Sequence, residues 1–171
     1  VFGEGDPETF QMIRPIARFG VHVTPSFADP RFSLIHADDL VQAMLAAAER
    51  GERIDPADET GATGRYYVAA GEHPTYGELG RLIGAALDRR RTWVVPTPSW
   101  ATWTVAAAAQ CKIWLTRRPM ILNLDKAREA TAGSWTCSPE KAERDLGFRP
   151  EATLAERLRQ TVAWYRAESW L

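Results

Sequence analysis

Phe32-Ser33-Leu34-Ile35-His36-Ala37-Asp38-Asp39-Leu40-Val41-Gln42-Ala43-Met44-Leu45-Ala46-Ala47-Ala48-Glu49 is the stretch on which the fold turns. Its first part alternates, Phe32 and Leu34 pointing one way and Ser33 and Ile35 the other, with His36 continuing the first face. That is the period of a short strand. Leu40, Val41, Met44, Leu45 and Ala48 then fall at the spacing of a helix that buries one stripe. A carboxylate just ahead of the first turn accepts free N–H groups and complements the helix dipole, so Asp38 or Asp39 is expected as the N-cap and Gly51 as the stop. A strand thus runs directly into a helix.

Working outward, Pro7 to Phe19 reads as a helix interrupted or kinked at Pro15 and ended by Gly20, with Val21-His22-Val23 as a short strand after it. Glu52 to Gly64 is a solvated loop. Tyr66-Tyr67-Val68-Ala69-Ala70 reads as a buried strand. Thr75-Tyr76-Gly77-Glu78 is a capping box opening a helix with Leu79, Leu82, Ile83 and Leu87 on one face. Trp93 to Pro96 is a strand, and Pro98 to Leu115 is the most apolar stretch of the chain, expected as a helix buried against a partner surface rather than as a membrane span. Arg117-Arg118-Pro119 breaks it. Leu124 to Thr131 is a short helix capped by Asn123. Ser138-Pro139 starts another, with Ser138 as N-cap and Gly147 closing it, and Thr153-Leu154-Ala155-Glu156 is a second capping box. Strands and amphipathic helices alternate without repeats, so the class is α/β, or α+β within this chain, helix-rich toward its end.

The 171 residues carry 21 basic and 22 acidic side chains, a net charge of −1, so no general attraction to nucleic acid or to an acidic membrane is expected. Cys111 and Cys137 lack metal or redox spacing and read as buried free thiols in a reducing compartment. No signal peptide opens the chain, and a cytoplasmic location is expected. His36, Asp38 and Asp39 read as cap and core rather than metal ligands, since strand neighbours point to opposite faces. The Arg89–Arg91 run reads as a solvated helix end. There is no GxGxxG or GxxGxxG, no P-loop, no HExxH, no GxSxG and no Tyr-x-x-x-Lys, so no catalytic residue is assigned.

The order of the signals resembles the second half of an extended short-chain dehydrogenase/reductase of the NAD-dependent epimerase/dehydratase family. Val1-Phe2-Gly3-Glu4-Gly5-Asp6 resembles its V-Y-G-P-G-D segment, and Phe32 to Leu40 its F-x-x-V-H-V-x-D-L joint. Tyr66 to Glu72, with Thr75 and Glu78, resembles Y-N-V-x-G-G-E and the helix after it. Ser138 to Pro150 and Leu154 to Tyr165 resemble the closing S-x-x-K-A-x-x-x-L-G-[FWY]-x-P and L-x-x-x-L-x-x-T-V-x-W-Y. The branch that includes 3β-hydroxysteroid dehydrogenases and dihydroflavonol reductases fits the apolar Trp100–Leu115 region best.

That resemblance implies one partial domain over 1–171. Residues 1–70 would be the last strands and helices of a Rossmann-type core, and 71–171 a helix-rich substrate-binding portion. The dinucleotide-binding half would be absent, and the opening at Val1 is expected to be a cut. The whole protein would use NAD or NADP on a hydroxyl or keto group of a small-molecule substrate, and this chain alone would be inactive. Phe2 and Gly3 match the loop beside the nicotinamide. Arg31 lies near an arginine that grips the diphosphate in sugar-nucleotide members, offset by one residue. Trp100, Trp103 and Trp114 would wall the substrate, or else pack in the core. The surface that met the missing half would drive self-association into homo-oligomers. The competing expectation is a free-standing non-enzymatic module binding a ligand or protein through a Trp-rich surface.

Overall fold

The computed structural model describes residues 1–117 and 123–171. The elements in chain order are α1 (Pro7–Phe19), β1 (Val21–Thr24), α2 (Ala37–Arg50), α3 (Tyr76–Ala86), β2 (Trp93–Pro96), α4 (Ser99–Thr116), α5 (Leu124–Thr131), α6 (Glu140–Leu146) and α7 (Leu154–Ala167). β1 and β2 pair in parallel, Val21 opposite Trp93 and Thr24 opposite Pro96. Around them stand single bridges: Phe2 with His36, Arg31 with Thr75, and Phe32 with Trp135.

Most helix ends follow the sequence. Asp6 caps α1 by accepting from the N–H groups of Glu8 and Thr9, and Gly20 closes it at φ 71°. Pro15 sits inside α1, which runs through it as one helix. Both capping boxes form, at Thr75/Glu78 and at Thr153/Glu156. Asn123 caps α5 through Lys126 N–H. α6 begins one residue later than expected, at Glu140, with Ser138 Oγ still accepting from Glu140 N–H. Arg117 ends α4 in the left-handed conformation; the expected break at Arg118 and Pro119 lies outside the described residues.

Two clusters make the core. One joins Phe2, Ile13 and Ile16 of the N-terminal region to Leu79 and Ile83 of α3 and to Leu154, Leu158, Val162 and Tyr165 of α7. The other sets Ile35 and α2 residues Ala43 and Ala46 against Ala142, Leu146 and Phe148.

Several expectations are corrected. The N-cap of α2 is His36, whose Nδ1 accepts from Asp38 N–H at 3.3 Å, because Asp39 is drawn inward to a guanidinium. The stripe α2 buries is Asp39, Ala43 and Ala46, while Val41, Met44 and Leu45 are exposed. Residues 66–70 are not a strand: Ala69 is buried and Ala70 N–H reaches Leu34 O at 2.8 Å, but Tyr67 points to solvent. Residues 32–35 form no strand: Phe32 makes one isolated bridge, to Trp135, and His36 another, to Phe2, each neighbour meeting the segment at one residue rather than along a ladder. α4 is left largely uncovered by the described residues, which agrees with the reading of an apolar helix in need of a partner surface: among its residues Ala106 and Ala109 are buried, and Leu115 is 86% exposed. The thiols are not both buried either, Cys111 being exposed and Cys137 half-buried. Among the described residues no helix is long and apolar enough to cross a membrane.

Candidate functional site

The joint between Phe2 and His36 is built from backbone outward. Phe2 N–H donates to Ile35 O at 3.0 Å and Ala37 N–H to Phe2 O at 2.9 Å. The Phe2 ring lies edge-on to His36, 5.2 Å between centroids, and is itself in the core. Gly3 is packed so closely that an added Cβ would stand 3.2 Å from Ala37 Cβ and 3.4 Å from His36 Nε2. Its carbonyl accepts from the Tyr165 hydroxyl at 3.2 Å, which also donates to Asp6 O at 2.7 Å. Burial, with Asp6 and Glu4 nearby, pushes that phenol up to about 12.

His36 is 1% exposed. Because Nδ1 accepts the Asp38 N–H, Nε2 carries the proton and faces Glu4 Oε2 at 3.0 Å. The other Glu4 oxygen, Oε1, is shielded from solvent and has no hydrogen-bond partner among the described residues. Glu4, His36 and Asp38 offer ligand atoms within 4.8 Å of one another. The two carboxylates, however, flank opposite nitrogens of one ring, as cap and acceptor do. One step along the helix, Asp39 and Arg157 form a buried fork: Nε to Oδ2 at 3.0 Å and Nη2 to Oδ1 at 2.5 Å. Asp38, Glu151 and Gln160 surround the same guanidinium, so α2 and α7 are pinned together here.

The second place is a cleft of about 470 Å³ lined by Arg31, Glu72, His73, Pro74, Glu78, Arg81 and Leu82. Arg31 Nη1 donates to His73 O at 2.8 Å and lies 3.3 Å from Glu78 Oε2. Glu78 is also held by Thr75 N–H, and Glu72 Oε1 accepts from Leu154 N–H at the start of α7. Both carboxylates are therefore held by donors, whereas Arg81 has no ion pair or hydrogen bond among the described residues. An anionic group entering this cleft would meet the Arg31 and Arg81 guanidiniums beside the donor-held Glu72 and Glu78 carboxylates; the His73 Nδ1 is 3.1 Å from Ser33 Oγ.

The residues singled out from sequence are not gathered in one place. Phe2 and Gly3 sit at the α2 joint, Arg31 in the cleft, and no tryptophan lines that cleft. Trp100 and Trp114 are each 71% exposed along α4, and Trp103 is 37% exposed. Sequence reading missed Arg81, His73 and Glu72; the i,i+3 spacing of Glu78 and Arg81 on one helix face was the available signal. It also missed that Trp135 pairs with the Arg31–Ser33 backbone, through Trp135 N–H to Arg31 O and Ser33 N–H to Trp135 O, both 2.8 Å.

Could these residues hold a dinucleotide? A diphosphate is normally cradled by free N–H groups at a helix N-terminus behind a glycine-rich turn. Here Asp6, His36, Thr75, Asn123 and Thr153 each cap their own helix, and α4 and α6 follow Pro98 and Pro139. The described residues alone do not fit that group.

No protein-family model matches the chain. A curated relative, the ceramide reductase of Caulobacter vibrioides, is 28% identical over 172 residues, covering 100% of this chain and 50% of its own. The chain thus spans about half the length of the curated relative it matches. Among solved structures, a human epimerase family protein with NADPH superposes at TM-score 0.64 with 18% identity, over 95% of this chain and 45% of that one. The dTDP-glucose 4,6-dehydratase of Bacillus anthracis with NAD gives TM-score 0.60 and 14% identity, over 99% and 43%. The UDP-glucose 4-epimerase of Thermotoga maritima with UDP-glucose gives 0.57 and 18%, over 94% and 38%. The chain shares the fold of somewhat less than half of each of these epimerase- and dehydratase-type structures. In that epimerase/dehydratase-type fold, the absence of a phosphate cradle among the described residues and the partial coverage agree.

Proposed function

We propose that this chain is the substrate-binding portion of an NAD(P)-dependent oxidoreductase or epimerase/dehydratase that acts on a hydroxyl or keto group. The dinucleotide is bound by residues outside this sequence, and the chain alone is inactive. The observation that carries this reading is the match of nearly the whole chain to less than half of each such enzyme. One feature of the surface supports it: Val41, Met44 and Leu45 form an exposed apolar stripe on α2, and such a stripe suits a covering protein half.

In this reading Phe2 and Gly3 lie at the joint on the nicotinamide side, and Arg31 with Arg81 receives an anionic part of the substrate. Trp100, Trp103 and Trp114 lie away from that cleft and are assigned no substrate contact. The exposed Cys111 suits a reducing cytoplasm. The test is hydride transfer by the whole protein from NADH or NADPH to a panel of keto substrates with and without a phosphate or carboxylate. Arg81→Ala is expected to raise KM for the anionic substrates and leave kcat near its original value. Turnover that ignores both cofactors, or equal KM values in the variant, would overturn it; ligand binding by the whole protein without cofactor would favour a non-enzymatic binding module instead.

A further inference from the structure

The net charge of −1 hides a segregation. Residues 89–124 contain six basic side chains, Arg89, Arg90, Arg91, Lys112, Arg117 and Arg118, and not one acidic side chain, so +6 here leaves −7 for the rest. Four of the seven tryptophans, Trp93, Trp100, Trp103 and Trp114, lie in the same segment.

On α4 these residues share a side. At about 100° per residue, Trp114 stands about 20° from Trp103, Ala107 about 40°, Trp100 about 60° and Leu115 about 120°. Buried Ala106 and Ala109 fall on the other side, toward the body of the protein, where α4 packs on α5. The exposed arc from Trp103 to Leu115 therefore covers about a third of the helix circumference and is mostly apolar, with Thr104 and Cys111 inside it, Lys112 about 60° beyond Leu115 and Arg117 at the helix end. β2 continues it: Trp93 is 55% exposed, with the Arg91 guanidinium 3.8 Å above its ring. A shallow recess of about 260 Å³ between β1 and α4, lined by Val23, Pro25, Ala101 and Val105, adds apolar surface.

We propose that α4 and β2 dock on the surface of an anionic lipid bilayer. The arc of Trp100, Trp103, Trp114 and Leu115 enters the headgroup region, and Arg91, Lys112 and Arg117 lie on the lipid phosphates. Tryptophan favours that boundary because its ring is apolar and its N–H seeks a wet acceptor. Long cationic side chains lay their stems along apolar surface and keep their charge among the headgroups. Only the local excess of cations gives this face its complementarity to an anionic surface. A covering protein half is already suited by the α2 stripe, which lacks that basic margin. The helix lies on the membrane, since no described helix can cross one. None of this depends on the cofactor reading.

The test is flotation of the whole protein with phosphatidylcholine vesicles, with and without abundant phosphatidylserine, beside an NADPH titration of the same samples. Binding to the phosphatidylserine vesicles is expected, weakening with added salt. Lys112→Gln/Arg117→Asn is expected to weaken it about 25-fold, about fivefold per charge; asparagine tolerates the left-handed Arg117 position. Trp100→Ser/Trp114→Ser, both on the surface, is expected to abolish binding with the melting temperature preserved. The proposal is overturned by no vesicle binding, by equal binding to neutral vesicles that ignores the charge variant, or by α4 forming a protein–protein contact instead. Cofactor binding without vesicle binding sinks the docking alone; vesicle binding without cofactor binding sinks the oxidoreductase reading alone.

Discussion

Arg157→Met isolates the contact that ties the strand-to-helix joint to the last helix. Arg157 is 7% exposed and Asp39 2%, and they are joined by two hydrogen bonds in a fork. Removing the guanidinium leaves Asp39 in the interior with Glu151 N–H, at 3.2 Å, as its remaining donor among the described residues. Breaking one side of a buried pair in this way costs about 3–5 kcal/mol, because the surviving charge keeps its desolvation penalty. Against the 5–15 kcal/mol typical of a domain, that is a large share of the total. Replacing both partners by apolar residues of similar volume, Asp39→Leu with Arg157→Met, is expected to recover most of the loss, since pair and penalty go together. Urea unfolding followed by circular dichroism reads all three proteins. A cost below about 1 kcal/mol for Arg157→Met, as for an exposed pair, would refute the reasoning. So would a double variant no more stable than the single one.

Other consequences follow from the same packing. Gly80→Ala, normally stabilising in a helix by up to about 1 kcal/mol, is expected to destabilise by about 1–3 kcal/mol. Its Cβ would sit 2.4 Å from the His22 ring, which thermal unfolding would detect. Burial holds His22 below its ordinary value of 6.5, against the opposing pull of the Tyr76 carbonyl and Asp29. Its neutral form is favoured by folding, so that stability is complete above pH 6.5 and falls as pH drops below it, by up to about 1.4 kcal/mol per pH unit. Urea midpoints between pH 7 and 5 should fall less steeply in His22→Gln. The 171-residue chain by itself is expected to self-associate through Val41, Met44 and Leu45, and Met44→Lys/Leu45→Glu to return it to monomer in sedimentation.

Helix ends were the legible part of this fold, because a cap is a local contract between a side chain and the next N–H groups. Thr75, Asn123 and Thr153 all honour it, and so does Asp6, which was not singled out as a cap from the sequence. The α2 cap was misread because two aspartates competed there, and the choice was made 118 residues away by Arg157. The apolar face of α2 was misread for a related reason. Periodicity reports that Val41, Met44 and Leu45 form an apolar stripe, and cannot report that the described residues leave that stripe exposed. Residues 66–70 have strand composition without a neighbouring ladder to complete it, so composition had nothing to act on. In the Arg31 cleft, the single residue flagged from resemblance was joined by His73 and Arg81, which only the folding of α3 beside residues 31–33 brings near.

The most direct measurement is a titration of NADH and NADPH, followed by tryptophan quenching, into the 171-residue chain. The same titration would be made on the polypeptide extended by the dinucleotide-binding residues we propose. The chain alone, with five of its described helices capped by their own side chains and no glycine-rich turn ahead of the other two, should bind neither cofactor, and the extended polypeptide should bind one of them in the micromolar range or tighter. Micromolar binding by the 171 residues alone, or none by the extended polypeptide, would contradict the assignment of this chain as the substrate-side portion of an NAD(P)-dependent enzyme.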